Sequence, residues 1–347
     1  MPGIRSRLAA VVAALGVLTV PAVASAAASA APGPARITGS VTGVNSLSSV
    51  KCPTAATCVA VGVDSNLNGK SVIITAATGA AKAWSGKLTN DAMNAIACPS
   101  ATTCLAVADD AVATVAVSTG AMKVTAKPTA PAGGIVAMDS LACPSATTCY
   151  AVGFEGTESN SKATVFALSA AGKLLSKRTS TGKGVGSIAC PSSTLCLIGD
   201  NLPTGEVIQQ LNNGHFGTSH KLPANTYVQS IACFQASLCY ALGGNSTASP
   251  EVTDELFPLN PATGAPGSAI TLSNFDGTGL TCSSATECRI VGFITPAFTP
   301  AVLNVTSGQP GTPASEPGSS LSSIACATSA LCYAVGLGSS GAIVDKV

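Results

Sequence analysis

Fourteen cysteines fall into seven pairs, and within every pair the two cysteines are separated by five residues. The first members are Cys52, Cys98, Cys143, Cys190, Cys233, Cys282 and Cys326, so the pairs recur every 43 to 49 residues. The second members are Cys58, Cys104, Cys149, Cys196, Cys239, Cys288 and Cys332, and no cysteine is left over. A repeat in the mid-forties suits stacked helical pairs or four-stranded propeller blades.

The local pattern selects strands. Around the third pair the chain reads MDSLACPSATTCYAVG from Met138 to Gly153, two short apolar runs either side of a turn of proline, serine and threonine. A second pair of runs follows, Ala163 to Leu168 and Leu174 to Thr179, about a turn that contains Gly172. Runs of this length, rich in β-branched residues and bounded by turn formers, behave as strands. No window carries a 3.6-residue apolar period long enough for a helix. Four strands in each of seven units predict an all-β, seven-bladed β-propeller of four-stranded blades. The last unit runs out of chain after Ala342 to Lys346, one strand short, whereas Ala35 to Gly43 precedes the first unit and resembles a fourth strand. The N-terminal strand is therefore expected to complete the last blade, which also removes an open sheet edge.

Two positions before each first cysteine stand Val50, Ile96, Leu141, Ile188, Ile231, Leu280 and Ile324. One position before stand alanines, except Lys51 and Thr281. A large residue on one face and a small one on the other suits an inner strand crowded between wedge-shaped blades. Lys51 breaks that pattern.

The N-terminus reads as an export signal. Arg5 and Arg7 precede the apolar run Leu8 to Val20, and Ala24-Ser25-Ala26 offers a small-residue cleavage site. The expected organisation is a signal peptide over 1–26, a flexible stretch over 27–34 and one propeller domain over 35–347. No later apolar run is long enough to span a bilayer. The mature chain is thus expected outside the membrane, secreted or associated with a cell wall, and monomeric. Paired cysteines in an oxidising compartment read as disulfides that join the first strand of each blade to the second. Residues opposite each other about such a turn lie about 4.5–5.5 Å apart at Cα. Zinc is the rival reading, but its cysteines stand two to four apart and group in fours.

A net charge of +1, with charged residues only 10% of the chain, excludes the basic field of a nucleic-acid-binding protein. Charge is nevertheless sorted. In a propeller the 2–3 and 4–1 connections share one face, and fourteen of the sixteen acids map there, from Asp64 and Asp91 to Glu158, Asp200, Glu251, Asp254 and Glu316. Cations, from Arg36 and Lys82 to Arg178 and Lys221, map to the outer strands. The expectation is an acidic face that attracts a cationic ligand or partner.

Three site candidates follow. Asp64, Asn66 and Asn68 alternate before Gly69 as in the first half of a calcium loop, without the closing acid, since Thr75 stands in its place. Four residues before each first cysteine, at the channel mouth, stand Ser48, Asn94, Asp139, Gly186, Gln229, Thr278 and Ser322. Six of these seven are polar, a ring suited to hydrogen-bonding a ligand. A carbohydrate hydrolase needs facing carboxylates. Asp91, Asp139 and Asp276 are the candidates, but the single tryptophan, Trp84, maps to an outer strand. Both histidines, His215 and His220, map to the fourth strand of blade 4, away from the channel.

The repeat CPSATTCYAVG resembles one found in exported actinobacterial propellers of sialidase-like appearance. The aspartate box of that group is missing here, so the resemblance implies the fold and not sialidase activity. The sequence reading is thus a secreted, non-catalytic binding or scaffold module without an obligatory cofactor. Its expected partner is an extracellular protein, a glycan or a cationic ligand. The alternative is a hydrolase with its acids at the channel mouth.

Overall fold

A computed structural model describes residues 38–157, 160–245, 254–316 and 319–347. The export signal, the stretch 27–34, Arg36, Glu158 and Glu251 lie outside the described residues.

Seven antiparallel sheets follow one another along the chain. Blade 1 consists of Ser46–Thr54, Thr57–Val63, Gly69–Thr75 and Ala80–Ala83. Blade 3 is the longest, with Ile135–Ala142, Thr148–Thr157, Asn160–Ser169 and Leu174–Thr179. Each first strand packs beside the first strands of the two neighbouring blades, and the first strand of blade 7 returns to that of blade 1, so the seven form a closed inner ring. Closure at the outer edge is as the strand count requires. Thr38–Ser40 pairs with Gly341–Lys346, Thr38 opposite Asp345 and Ser40 opposite Ile343, and becomes the fourth strand of blade 7. The protein is an all-β seven-bladed propeller. Among the described residues no helix is long and apolar enough to cross a membrane.

The core is divided by blade interface rather than by blade. Between blades 7 and 1, Val50, Ile74 and Val72 pack against Ala325, Tyr333 and Val335. Between blades 4 and 5, Ile231 and Phe257 pack against Ala189, Leu197 and Ile208. The large residue before each first cysteine thus faces the preceding blade, and the alanine faces the following one. Lys51 takes the alanine position of blade 1. It keeps solvent access there, while the protein crowding around it lowers its ammonium pKa.

All seven cysteine pairs are disulfide-bonded, and no described cysteine is free. Their Cα atoms stand 3.8 to 4.1 Å apart, closer than the spacing expected of the hairpin alone. Cys233 and Cys239, Cys282 and Cys288, and Cys326 and Cys332 are directly opposed in register. The sulfur bridge draws these opposed residues together. Closing so short a loop contributes about 2 kcal/mol per bond on the chain-entropy model. The turn inside the bridge has its own lock: the hydroxyls of Ser100, Ser145, Ser192 and Ser284 accept backbone N–H bonds from residues two and three positions on.

Candidate functional site

The channel-mouth residues share a local structure that the repeat spacing conceals. In blade 1, Leu47 pairs with Gly62 and Ser49 with Val61, so Ser48 is an extra residue with no partner across the ladder. The same skip isolates Asp139, Gly186, Gln229, Thr278 and Ser322. Six of the seven positions are therefore β-bulges, which re-aim a side chain out of the regular alternation. The bulge also explains the glycine that ends the motif. A Cβ on Gly62, Gly153, Gly243, Gly292 or Gly336 would lie 1.9 to 2.0 Å from a carbonyl oxygen of the inner strand. Blade 2 has Ala108 at this place, and its inner strand is cut to Ala95–Ala97, starting just after Asn94.

Only part of the ring faces outward. Asp139 and Ser322 are exposed, as is Gly186, whereas Ser48, Asn94, Gln229 and Thr278 are half-buried. Two of them are committed to the frame. Asn94 donates through Nδ2 to Met138 O of blade 3 (3.0 Å) and to Asp109 Oδ1 (2.9 Å). Thr278 donates to Leu321 O of blade 7 (2.6 Å).

These two bonds belong to a set that reaches every blade interface. The residue after the bulge is serine in five blades: Ser49, Ser140, Ser187, Ser230 and Ser323. Four of these hydroxyls accept a backbone N–H from the next blade: Ile96 to Ser49 (3.3 Å), Ile188 to Ser140 (3.4 Å), Ile231 to Ser187 (2.8 Å) and Val50 to Ser323 (3.3 Å). Where serine is replaced by Ala95 or Gly279, the residue before it, Asn94 or Thr278, makes the tie instead. Between blades 5 and 6 the tie is the carboxylate of Asp254, whose Oδ2 accepts the N–H of Gly277 (2.7 Å). An inner strand has no sheet partner on its axial edge, and these side chains satisfy backbone groups there that burial would otherwise strand. The serine at that position of five repeats was the available signal, and charge-based reading passed over it.

Burial takes five acids out of the expected acidic face. Asp91, Glu155, Asp200, Asp254 and Glu316 occupy 2–3 or 4–1 connections or their edges, yet all five are buried, with exposures from 0% to 7%. These five are enclosed by the fold, whereas Asp110 and Asp139 are exposed and Asp64, Asp109, Glu206, Glu255 and Asp276 are half-buried. Lys127 meets Asp91 at 3.3 Å, and Lys177 meets Glu155. Among the described residues no cation pairs with Asp200, Glu206 or Asp254. Ser180 donates to Asp200 Oδ2 (2.8 Å), and Val228 N–H to Glu206 Oε1 (3.3 Å). Burial pushes Asp200 up to about 6 and Glu206 up to about 7, with the charge of Asp200 adding to the second shift. Burial, with smaller contributions from Asp276 and Glu255, pushes Asp254 up to about 8.

The loop Asp64 to Asn68 is closed by its own hydrogen bonds. Asp64 Oδ1 accepts the N–H groups of Asn66 (2.9 Å) and Asn68 (3.0 Å), and the Asn68 amide donates to both carboxylate oxygens. The Asn68 bonds lower the Asp64 pKa most. Of the hydrolase candidates, Asp91 is held by Lys127, Asp139 is exposed and Asp276 half-buried. His215 and His220 lie on His215–Lys221, the outer strand of blade 4, and His215 Nε2 is 3.1 Å from the Arg178 guanidinium. Among the described residues, no three His, Cys, Asp or Glu converge as a metal site.

No family model matches the chain, and no curated protein matches it in sequence. Solved structures match in fold. The Cps50 (Swd1) β-propeller domain of Myceliophteria thermophila superposes with a TM-score of 0.61 at 10% identity, over 89% of this chain and 98% of that one. A chain of the mitotic checkpoint complex gives 0.63 at 12% identity, over 90% and 93%. YCF48 bound to a D1 peptide gives 0.61 at 9% identity, over 90% and 96%.

Proposed function

We propose that the protein is an exported, non-catalytic binding module that recognises a protein or peptide partner on the face bearing the inner-strand bulges. The observation that carries this reading is the set of six bulges. They place serine, aspartate, glycine, glutamine and threonine at equivalent places on a frame tied at every interface and stapled in every blade. Repetition supplies rigidity, and variation at one position per blade supplies specificity. Asp139 and Ser322 are the exposed side chains of that set, and Gln229 and Ser48 flank them more deeply. Two propellers of like fold come from structures with a peptide or a protein assembly, which agrees with this use of the fold. The disulfides fit an extracytoplasmic protein, and the export signal over 1–26 is part of the same proposal.

The test is a peptide array probed with the mature protein, followed by titration of the best peptides against wild type and Asp139→Arg/Ser322→Arg. Selective binding lost in the double variant supports the reading. Binding to no peptide, or binding that ignores both substitutions, counts against it. Calcium belongs to the reading only as a ligand of the Asp64 loop, where it has to displace the Asn68 donors. Calorimetry with calcium on wild type and Asp64→Ala decides that point.

A further inference from the structure

The outer rim of the ring is electrically lopsided. Of the fourteen lysines and arginines from Lys51 onward, twelve occur by Lys221, and only Arg289 and Lys346 follow. On the outer strands the division is sharper. Ala80–Ala83 carries Lys82, Met122–Ala126 carries Lys123, Leu174–Thr179 carries Lys177 and Arg178, and His215–Lys221 carries Lys221, so four consecutive blades each present a cation. All five are exposed, and Lys87 and Lys173 beside these strands are exposed too. None of the four strands contains an acid. The corresponding outer strands of blades 5 to 7, Ile270–Leu272, Gln309–Pro310, Ala314–Ser315 and Thr38–Ser40, contain no charged residue.

Within the chain little answers this charge. Lys127 and Lys177 neutralise buried Asp91 and Glu155. Among the described residues no carboxylate pairs with Lys82, Lys123, Arg178 or Lys221. A row of like charges repels itself, so a partner of opposite charge gains from it. The cations do not converge on a pocket. They are strung along four blades, which suits an extended ligand with repeating negative charge and not a single anion.

The structure assigns to the outer strands of blades 1 to 4 a docking surface for an anionic polymer bearing repeated phosphate or carboxylate groups. A second copy of the chain is a poorer match, because among the described acids of blades 5 to 7 Asp254, Glu316 and Asp345 are buried, Glu255 and Asp276 are half-buried, and Glu287 alone is exposed. A lipid surface is poorer as well, since Leu175 is the one exposed large apolar side chain among the four strands. Each exposed contact is weak and screened by salt, so affinity has to come from several together.

The experiment measures binding of the mature protein to sodium polyphosphate, polyglutamate, neutral dextran and phosphatidylglycerol vesicles. The variant is Lys82→Glu/Lys123→Glu/Arg178→Glu/Lys221→Glu, checked for wild-type melting temperature, with the corresponding glutamine substitutions as a milder second version. Expected is binding to at least one soluble polyanion and none to dextran, weakened at least tenfold between 50 and 300 mM salt and at least tenfold in either variant. Which polyanion binds identifies phosphate or carboxylate. Failure to bind both polyanions, binding to vesicles alone, or wild-type affinity in both variants overturns the assignment.

Discussion

In blade 3, Glu155 is 7% exposed and the ammonium of Lys177 reaches its carboxylate. In blade 5, Asp254 is wholly buried and is met by the N–H of Gly277 and the hydroxyl of Tyr227, with no cation. Both carboxyls sit at the edge of the 2–3 connection of their blade. Their charge is handled in opposite ways. A carboxyl without a cation in a dry site takes up a proton at a pH where it ordinarily would not. The contrast extends to the neighbours, with Asp91 paired to Lys127, and Asp200 and Glu206 without a cation. The ring thus has a salt-bridged arc over blades 1 to 3 and a proton-dependent arc over blades 4 and 5.

The largest effect of that difference is on the stability of the whole ring. Asp200, Glu206 and Asp254 have folded pKa values of about 6, 7 and 8, above the usual carboxylate range. Their ionisation at high pH opposes folding. As pH falls through 8 toward 4 the folded state binds protons before the unfolded chain does, and stability rises. Urea unfolding between pH 9 and pH 5 is expected to show a gain of roughly 5 kcal/mol as pH falls. A flat profile over that window would end the comparison.

Next in size is Asp254→Asn, which keeps an oxygen for the Gly277 N–H but carries no charge. It is expected to add about 3 kcal/mol at pH 9 and less than about 1 kcal/mol at pH 5, read from the same unfolding curves. Equal effects at the two pH values would mean that packing, not charge, sets the cost. Lys177→Met makes blade 3 resemble blade 5 by leaving Glu155 without its cation. A loss of about 2 kcal/mol at pH 7 is expected, with recovery when Glu155→Gln is added. A double variant no better than the single one would show that Lys177 acts through packing alone. The smallest change is Ser187→Ala, which removes the acceptor for Ile231 N–H. About 1 kcal/mol should be lost, with no dependence on pH, and a pH-dependent loss would tie the serine to the neighbouring acids.

The blade count and the disulfide pairing were legible because each rests on short-range order, and the closing strand followed from the count. A strand's alternation, a turn's composition and a cysteine spacing are local properties, and seven repetitions let each check the others. The large–small pair before each cysteine was legible for the same reason: Ile231 and Ala232 are neighbours in the chain and must face opposite sides of a sheet. The fate of the acids was not legible. Asp139 and Asp254 look alike in the chain, but one is exposed and the other buried, because only the packing of adjacent blades decides which upper connection is covered. Counting connections treated every loop residue as wet.

The channel-mouth ring stands between these cases. Its position four residues before each cysteine could be found by counting, as could the serine that follows in Ser49, Ser140 and Ser187. That the ring consists of bulges depends on register between two strands, and register follows from close backbone approach at Gly62, Gly153 and their counterparts. That Asn94 and Thr278 tie blades where Ala95 and Gly279 replace the serine depends on a neighbour more than 40 residues away. Repeat, strand order and covalent staples are therefore written along the chain, since they are set by neighbours in sequence. Which polar side chains bind outward and which hold the frame is decided where one blade meets the next, because burial and hydrogen bonding there are properties of pairs of blades and of no single repeat.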